Sequence, residues 1–233
     1  MTTPATSKSS LFPRHVSVLG AAGGLGQGIL SECREAGIGF TAIVRSRPER
    51  IKSIPAGSRV EVVSSLANQS ALAASFSGAD VVLTALGVTP TSCDETALLS
   101  RNMATFEKAM LAANVERVVL MNTLLSPLPG KLPSLLMRLF TWLPGKVGRG
   151  ARELRAVADA LGHGALSRLR WTLVRGGVNA QGVDEAPVAS VDWSQGFNSW
   201  MPVSYRAMGR WMLQEAVAEE FVFSAPFVSR QRD

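Results

Sequence analysis

The chain has little cysteine and no long hydrophobic run. Its 233 residues include two cysteines, Cys33 and Cys93, too few for a disulfide scaffold and without the clustered ligands of a structural metal site. The longest apolar stretch, 132–143, contains Arg138 and is shorter than the roughly 20 residues that a membrane-spanning helix needs. We therefore expect neither a secreted disulfide protein nor a membrane channel, no metal site, and a reducing, cytoplasmic setting.

Acidic residues are outnumbered: 18 Asp and Glu stand against 24 Lys and Arg, a net charge of +6. Such a surplus suits nucleic acid, an acidic membrane or a phosphorylated ligand. The basic residues are spread along the chain without a recognition helix, so we expect no nucleic-acid partner. Hydrophobic residues make up 46% of the chain, enough for the core of one domain. The oligomeric state is not indicated.

The first 14 residues, MTTPATSKSSLFPR, lack acidic residues and the apolar stretch of a secretory signal. We expect a disordered leader at 1–14. No repeat and no Pro- or Ser-rich linker divides the remainder, so we expect a single domain at 15–233.

Short β-branched runs alternate with segments of helical spacing. Strands are predicted at 15–19, 40–44, 60–63, 80–86, 117–121, 171–175 and 221–223. Helices are predicted at 26–36, 70–76, 95–113, 151–161 and 205–218. This alternation indicates an α/β protein with a Rossmann-type, doubly wound parallel sheet. The irregular stretches at about 124–150 and 176–202 follow predicted strands, and we expect them to form substrate-lid loops, a small lobe at the carboxyl edge.

A glycine-rich turn follows the first predicted strand and opens the first predicted helix. Gly20 permits a tight exit from the strand, Gly23 lets the backbone approach a pyrophosphate, and Gly26 lets the helix pack closely on the sheet. The helix N-terminus then offers unpaired N–H groups to phosphate. The alternative is a flexible turn without a ligand. The candidate cofactor-binding residues in this turn are Gly20, Ala22, Gly23, Gly24, Leu25 and Gly26.

Arg45 follows the second predicted strand, 19 residues after Gly26. Folds that prefer NAD place an acidic residue in this region to bind the ribose hydroxyls. An arginine instead suits a 2′-phosphate, with Arg47 and Arg50 close behind it. We therefore predict NADP(H) as the cofactor, the alternative being a solvated basic loop.

Five segments resemble the atypical short-chain dehydrogenases/reductases of the NmrA-like and flavin-reductase/biliverdin-reductase-B-like group, whose NAD(P)-binding domain would cover nearly all of the chain. They are VSVLGAAGGLG, AIVR, GADVVLTALG, NVERVVLMNT and LRWTLVRGG, at 16–26, 42–45, 78–87, 114–123 and 169–177. Relatives in this group reduce flavins, quinones or small carbonyl compounds, while others only sense NADP(H).

The resemblance implies a role for each matching residue. The glycine turn would hold the pyrophosphate and Arg45 the adenosine phosphate. The remaining assignments are Ser65 and Leu66 for adenine, Ala85, Leu86 and Gly87 for the ribose beside the nicotinamide, Asn122 and Thr123 for the nicotinamide, and Gly176 and Gly177 for closing the pocket. The chain departs from the family pattern at Ser65 (usually Asp), at Asn122 and Thr123 (usually Ser) and at Gly176 (usually Pro).

The usual catalytic pair of short-chain dehydrogenases is a Tyr with a Lys four residues later. The single tyrosine, Tyr205, has Gly209 at that spacing, and the predicted helix at 151–161 has neither residue type. Reduction without a side-chain acid remains feasible for flavin-like or quinone-like acceptors, because the nicotinamide supplies the hydride. Thr123 is the first candidate to polarise a substrate oxygen and Asn122 the second. Alternatively, the Thr123 hydroxyl bonds nearby backbone.

Three further residues are candidate substrate contacts: Tyr205, Cys93 and Trp142. Packing or surface roles are the alternatives for Tyr205 and Trp142, and a buried spectator thiol is the alternative for Cys93. The sequence thus favours an NADP(H)-dependent oxidoreductase acting on a hydrophobic, conjugated small molecule. A regulatory protein that senses NADP(H) and a biosynthetic isomerase or cyclase on the same fold remain alternatives.

Overall fold

An eight-stranded sheet organises the chain, with the strands in the spatial order β3 (Arg59–Val62), β2 (Gly39–Val44), β1 (His15–Leu19), β4 (Val81–Thr84), β5 (Arg117–Thr123), β6 (Arg170–Gly176), β10 (Phe227–Ser229) and β8 (Val188–Ser190). The computed structural model describes residues 11–86, 99–123, 126–132, 135, 142–143, 145–191 and 202–231, and for 145–147 only the backbone. Neighbouring strands from β3 to β10 are parallel, and only β8 at the edge is antiparallel. The predicted Rossmann-type sheet is therefore confirmed.

The main strands are β1 His15–Leu19, β2 Gly39–Val44, β3 Arg59–Val62, β4 Val81–Thr84, β5 Arg117–Thr123, β6 Arg170–Gly176, β8 Val188–Ser190 and β10 Phe227–Ser229. The strands β7 Val178–Asn179 and β9 Val203–Ser204 form a separate two-stranded parallel sheet. The helices are α1 Gly24–Ala36, α2 Gln69–Phe76, α3 Met103–Ala112, α4 Gly145–Gly162 and α5 Tyr205–Ala218.

The sheet has helices on both faces, because alternate residues of its buried strands point to opposite sides. On one face Val18 and Val119 join a core with α1 and α5. On the other face Leu19 and Leu120 join a core with α2, α3 and α4. Since both sides of a central strand are covered, the strands are continuous apolar runs, which made them recognisable in the sequence.

The order in which strands are added across the sheet reverses between the parallel strands β1 and β4. From β1 the chain moves outward to β2 and β3, and it then returns to the opposite side of β1 as β4. Ala85 N, just after β4, donates to Leu19 O at the end of β1 (2.7 Å). Open α/β sheets bind their ligands in the crevice outside the carboxyl ends of the strands at such a reversal. The topology therefore places the glycine turn after β1 at the ligand-binding edge.

The predicted strand at 221–223 is wrong. Those residues form a turn in which Ser224 N donates to Phe221 O (3.1 Å) and Phe223 has a φ of 55°. Phe221 N donates to the carboxylate of Glu215 (3.0 Å), so a tertiary contact holds the turn. The last strand comes later, at Phe227–Ser229.

Two predicted helices have different limits. A single 3-10 turn, Ser100–Asn102, precedes α3, which begins at Met103 rather than 95; positions 95–98 lie outside the described residues. The predicted helix at 151–161 begins earlier, at Gly145, through a glycine-rich stretch of low helix propensity. Part of the predicted lid at 124–150 is therefore the first part of α4.

Residues near the start of the described chain are packed rather than extended away from it. Phe12 contacts the core on the α1 face, and Arg14 N donates to Asp80 Oδ2 (2.7 Å). Of the leader expected at 1–14, residues 11–14 therefore adjoin the domain, and residues 1–10 lie outside the described residues. Within the described parts of the chain, no helix is both long and apolar enough to cross a membrane.

Candidate functional site

The turn between β1 and α1 is built from glycines that have no room for a side chain. Gly20 has a φ of 87°, and a Cβ atom there would lie 2.8 Å from Ala85 O. A Cβ atom on Gly26 would lie 2.5 Å from Gly20 O and 2.6 Å from the Cα atom of Ala21. Because the obstructing atoms are backbone, they cannot move cheaply, and the turn requires glycine at both positions.

Three successive N–H groups at the start of α1 are unpaired. Gly23 N donates to Gly20 O (3.0 Å) and Gln27 N donates to Gly23 O (2.9 Å). Between them, the N–H groups of Gly24, Leu25 and Gly26 have no acceptor in the portion of the chain that the structure describes. Unpaired N–H groups and the helix dipole together favour an anion. The donor set therefore fits a pyrophosphate at this turn.

The next two strands end beside the glycine turn. Arg45 is the first exposed residue after buried Val44 at the end of β2. Val63 N, just past β3, donates to Val44 O (2.9 Å), so the segment with Ser65 and buried Leu66 leaves the sheet next to Arg45. Arg50 is exposed in the 3-10 turn Pro48–Arg50, which follows Arg45 in the chain. The structure thus groups Arg45, Ser65 and Leu66 at one edge of the sheet.

On the other side of the turn are Ala85 and Leu86. Ala85 is buried against the backbone of Gly20, and Leu86 is half-buried. Gly87 lies outside the described residues, as does Cys93.

The ends of β5 and β6 bring Thr123 and Gly176 together, because these residues are paired in the sheet. Thr123 is half-buried, and its hydroxyl has no hydrogen-bond partner in the described chain. Asn122 is buried instead: its Nδ2 donates to Leu154 O of α4 (3.1 Å) and its Oδ1 accepts from Thr123 N (2.8 Å). Asn122 thereby connects β5 to α4 and holds the backbone of Thr123.

A model of the family described as NAD(P)H-binding matches residues 20–214. The chain belongs to the NAD(P)H-binding family. This match covers the glycine turn, the strand ends around it and most of α5. It confirms the NAD(P)-binding family that the sequence indicated, and the N-terminus of α1 with its three donors lies within the matched residues.

Solved structures share this fold at low sequence identity, while no curated protein matches the chain. A candidate epimerase from Bacteroides thetaiotaomicron is 18% identical, with a TM-score of 0.73 over 95% of this chain and 99% of that one. A candidate NADH-flavin reductase from Streptococcus pneumoniae is 18% identical, with a TM-score of 0.69 over 94% and 100%. A wide-type short-chain dehydrogenase/reductase from Veillonella parvula, in complex with NADP, is 19% identical, with a TM-score of 0.64 over 94% and 95%.

In this NAD(P)H-binding protein, the glycines after β6 have a packing reason. A Cβ atom on Gly176 would lie 2.7 Å from both Val228 O and the Cε atom of Met208. Gly177 O accepts from Val203 N (3.0 Å), which links the end of β6 to β9. The family's usual proline at 176 would therefore collide with β10, so glycine is the residue that fits.

Two of the candidate substrate contacts, Trp142 and Tyr205, lie against different helices. Trp142 is 86% exposed and lines an open depression of about 520 Å³ with Arg152, Arg155, Ala156 and Asp159. None of the residues of the glycine turn lines it. Tyr205 instead lies against the start of α1, where its ring occupies the space above Gly24. The sequence reasoning missed this contact, although the glycines at 24, 28 and 209 were a signal that two helices approach closely.

Arg175 is a buried cation that sequence reasoning did not single out. Its side chain is 4% exposed, Nε donates to Ala225 O (2.8 Å), and the guanidinium stacks on Phe227 at 3.8 Å from the ring centroid. Nη2 is buried and has no hydrogen-bond partner among the residues that the structure describes. Burial lowers the pKa of Arg175 to about 10. The side chain shares the α4 face of the sheet with Asn122 and contributes positive potential there.

The described residues contain no cluster of ligands that would hold a metal ion. Cys33 is buried in α1, and burial raises the pKa of its thiol to about 12, so it is a packing residue.

Proposed function

We propose that this protein is an NADP(H)-dependent oxidoreductase that reduces a hydrophobic, conjugated small molecule of the quinone, flavin, enone or ketone type. The observation that carries the proposal is that the N–H groups of Gly24, Leu25 and Gly26 have no acceptor in the described part of the chain. They lie at the sheet's topological reversal, in a chain of the NAD(P)H-binding family.

The choice of NADP(H) over NAD(H) rests on Arg45. It occupies the end of β2, where an acidic residue would bind the ribose hydroxyls, and it is exposed. A guanidinium can bind a 2′-phosphate through two parallel hydrogen bonds. The neighbouring Ser65 adds no negative charge. The similar Veillonella structure is itself a complex with NADP.

The cofactor, when bound, supplies a hydride. In our proposal Thr123 orients the substrate, because its hydroxyl is at the carboxyl edge of β5 and has no partner in the described chain. Asn122 positions Thr123, since both ends of its amide are already hydrogen-bonded to backbone. Gly176 and Gly177 close the pocket beside them.

The proposal does not require a side-chain acid. The only tyrosine, Tyr205, is the first residue of α5 and packs against α1, and α4 contains Lys146 but no tyrosine. In the usual pair a tyrosine stands four residues before the lysine, and the residue at that spacing from Lys146 is Trp142. Its indole N–H donates hydrogen bonds but does not act as an acid near neutral pH. A flavin-like or quinone-like product anion is stabilised by conjugation, so it forms without a side-chain acid and takes its proton from solvent afterwards.

The missing Tyr-Lys pair also supports a second candidate function, an NADP(H)-sensing regulatory protein without turnover. An isomerase or cyclase is the third, in line with the similar candidate epimerase. Consumption of NADPH that depends on an added acceptor favours the oxidoreductase. Binding of NADPH without consumption favours the sensor, and product formation without net oxidation favours the isomerase.

The first experiment is calorimetric titration of the wild type, Arg45→Ala and Arg168→Ala with NADPH and NADH. Loss of a charge-assisted contact predicts about 10- to 100-fold weaker NADPH binding for Arg45→Ala. Binding of NADH should change less than about twofold. Arg168→Ala is the matched control, because it removes an exposed arginine that pairs with Glu107 far from the turn. Absence of NADPH binding to the wild type would refute the proposed function.

A screen of quinones, flavins and enones for NADPH oxidation follows if the wild type binds NADPH. The Thr123→Val variant is the control for each active acceptor, since it removes the proposed hydroxyl and keeps the side-chain volume. An acceptor reduced equally by both proteins would show that Thr123 does not orient it.

A further inference from the structure

Tyr205 fills the space that a side chain at position 24 would need. A Cβ atom on Gly24 would lie 2.4 Å from Cε2, 2.5 Å from Cζ and 2.9 Å from the hydroxyl oxygen of Tyr205. The outer end of the phenol ring, including the hydroxyl, is therefore at the first turn of α1. Gly24 is the residue that makes this approach possible, because any larger residue would displace the ring.

The position of Tyr205 is set by contacts on both sides of it. Ser204 caps α5, with its Oγ accepting from Ala207 N (2.9 Å) and donating to Asp184 Oδ1 (2.6 Å). The carbonyl oxygen of Tyr205 would lie 2.4 Å from a Cβ atom on Gly28. The start of α5 is thus fixed against α1 by backbone contact as well as by a helix cap.

Two ion pairs reinforce this contact one turn further along. Nε of Arg206 lies 2.8 Å from Oε1 of Glu32, and Nε of Arg210 lies 2.8 Å from Oε2 of the same carboxylate. Glu32 is on α1 and is 8% exposed. Because this carboxylate accepts from two residues of α5, it restrains rotation of α5 against α1, and it keeps the phenol of Tyr205 above Gly24.

The Tyr205 hydroxyl has no hydrogen-bond partner in the part of the chain that the structure describes. It adds a fourth unpaired donor to the N–H groups of Gly24, Leu25 and Gly26. The oxygens of a pyrophosphate are acceptors over which four such donors would be distributed, and the dipole of α1 favours their negative charge.

We propose that Tyr205 is a cofactor-binding residue whose hydroxyl donates to the pyrophosphate of NADP(H) through the space left by Gly24. This assignment rests on the proposed function, because it requires that NADP(H) bind at the glycine turn. It replaces the substrate contact that the sequence alone suggested for Tyr205. Tyr205 also lacks the lysine of the usual catalytic pair, since the residue four positions later is Gly209 and supplies no charge.

The test compares two ligands on the wild type and Tyr205→Phe by calorimetry. NADPH contains the pyrophosphate, whereas adenosine 2′-phosphate contains only the part that Arg45 would bind. Loss of one hydrogen bond to a charged acceptor predicts about 10- to 100-fold weaker NADPH binding for Tyr205→Phe. Binding of adenosine 2′-phosphate should change less than about twofold. Phenylalanine keeps the ring above Gly24, so the fold is retained.

A second readout uses the fact that the chain has one tyrosine. Protein labelled with ¹³C-tyrosine should show a single ring spectrum that shifts on addition of NADP⁺ and stays unchanged with adenosine 2′-phosphate. This readout needs neither turnover nor a variant, and a purely structural tyrosine would not show the difference between the two ligands.

The outcomes separate this inference from the proposed function. If the wild type binds NADPH and Tyr205→Phe binds it equally well, the phosphate contact is wrong while the proposed function stands. If Tyr205→Phe weakens both ligands to the same extent, the hydroxyl acts on the structure of the whole site and the inference is overturned. If the wild type binds no NADPH, the proposed function fails first.

Discussion

Nη2 of Arg117 lies 2.8 Å from Oε1 of Glu215, and both side chains are 2% exposed. The pair joins the first residue of β5 to α5, the helix that begins with Tyr205. Arg117 also donates to Arg170 O (2.9 Å) and Thr172 Oγ1 (2.9 Å), while its Nε is buried without a partner within the described ranges. Burial lowers the pKa of Arg117, although Glu215 opposes the shift. The ion pair therefore anchors α5 at the cost of two desolvated charges.

Removing one member of this pair should destabilise the protein strongly. Arg117→Met leaves the Glu215 carboxylate buried without its counter-ion, and we expect the free energy of unfolding to fall by about 3–5 kcal/mol. The double variant Arg117→Met/Glu215→Gln should recover at least half of that loss. Its neutral amide still accepts from Thr172 and Phe221 N, which now donate to Glu215. Chemical denaturation measures the free energy of unfolding of the single and the double variant. A double variant no more stable than Arg117→Met would show that the unpaired Glu215 carboxylate is not the cause of the loss.

The contact between α1 and α5 should depend on pH through Glu32. Burial by itself raises the pKa of Glu32, but hydrogen bonds from Arg210 and Arg206 outweigh it, and the pKa is below its ordinary value of 4.5. Because the folded pKa is lower than the unfolded one, the stabilisation is fully present above 4.5. It is lost as pH falls through the folded pKa. Glu32→Gln should lower the free energy of unfolding by about 1–2 kcal/mol at neutral pH.

The check is a series of denaturation curves for both proteins between neutral and acid pH. The difference in stability between wild type and Glu32→Gln should shrink as the solution is acidified, since the wild-type carboxyl then becomes neutral too. A difference that stays constant down to strongly acid pH would assign the effect to shape rather than charge.

Gly26→Ala should abolish tight cofactor binding. Its Cβ atom would lie 2.5 Å from Gly20 O, so α1 or the turn must move, and the unpaired N–H groups move with it. We expect NADPH binding at least about 10-fold weaker. Gly78→Ala is the matched control: it also strains the backbone, at a φ of 81°, but meets no atom within 4 Å. That control should lose about 1 kcal/mol of stability and keep its NADPH affinity.

Thr123 should affect turnover through its hydroxyl. With an acceptor found in the screen, Thr123→Val should reduce kcat/KM by about 10- to 100-fold, whereas Thr123→Ser should retain most of it. NADPH affinity measured separately should be nearly unchanged in both. Equal loss in the valine and serine variants would show that the packing of the whole side chain matters, rather than the hydrogen bond of its hydroxyl.

The periodicity of the sequence was sufficient for most of the sheet. The strands β1, β2, β5 and β6 are short apolar runs, and each is bounded by polar residues or glycine. They are buried on both faces, so burial alone dictates their composition. The short strands β7, β8 and β9 have two or three residues and no such pattern. Their backbone pairing depends on which distant segments meet, and that information is not local.

The turn at 221–223 illustrates the same limit. Phe221 and Phe223 alternate with Val222 as a strand would, yet Phe221 N is taken by Glu215 and Phe223 N by Trp171 O (2.7 Å). A buried charge from another element decided the local conformation. The length of helix α4 was underestimated for a related reason. Its first residues include glycines, which have low helix propensity and become helical only through packing.

By itself, the sequence determined the alternation of strands and helices, the glycine turn that opens α1, and the arginine in place of an acid after β2. These features depend on local backbone freedom, side-chain periodicity and spacing, which are properties of residues close together in the sequence. Only the tertiary structure decided that the Asn122 amide is hydrogen-bonded to Leu154 and Thr123. It also decided that the phenol of Tyr205 lies over Gly24, although the two residues are 181 positions apart in the chain. Such contacts arise because the packing of α1 against α5 brings the two helices within backbone distance.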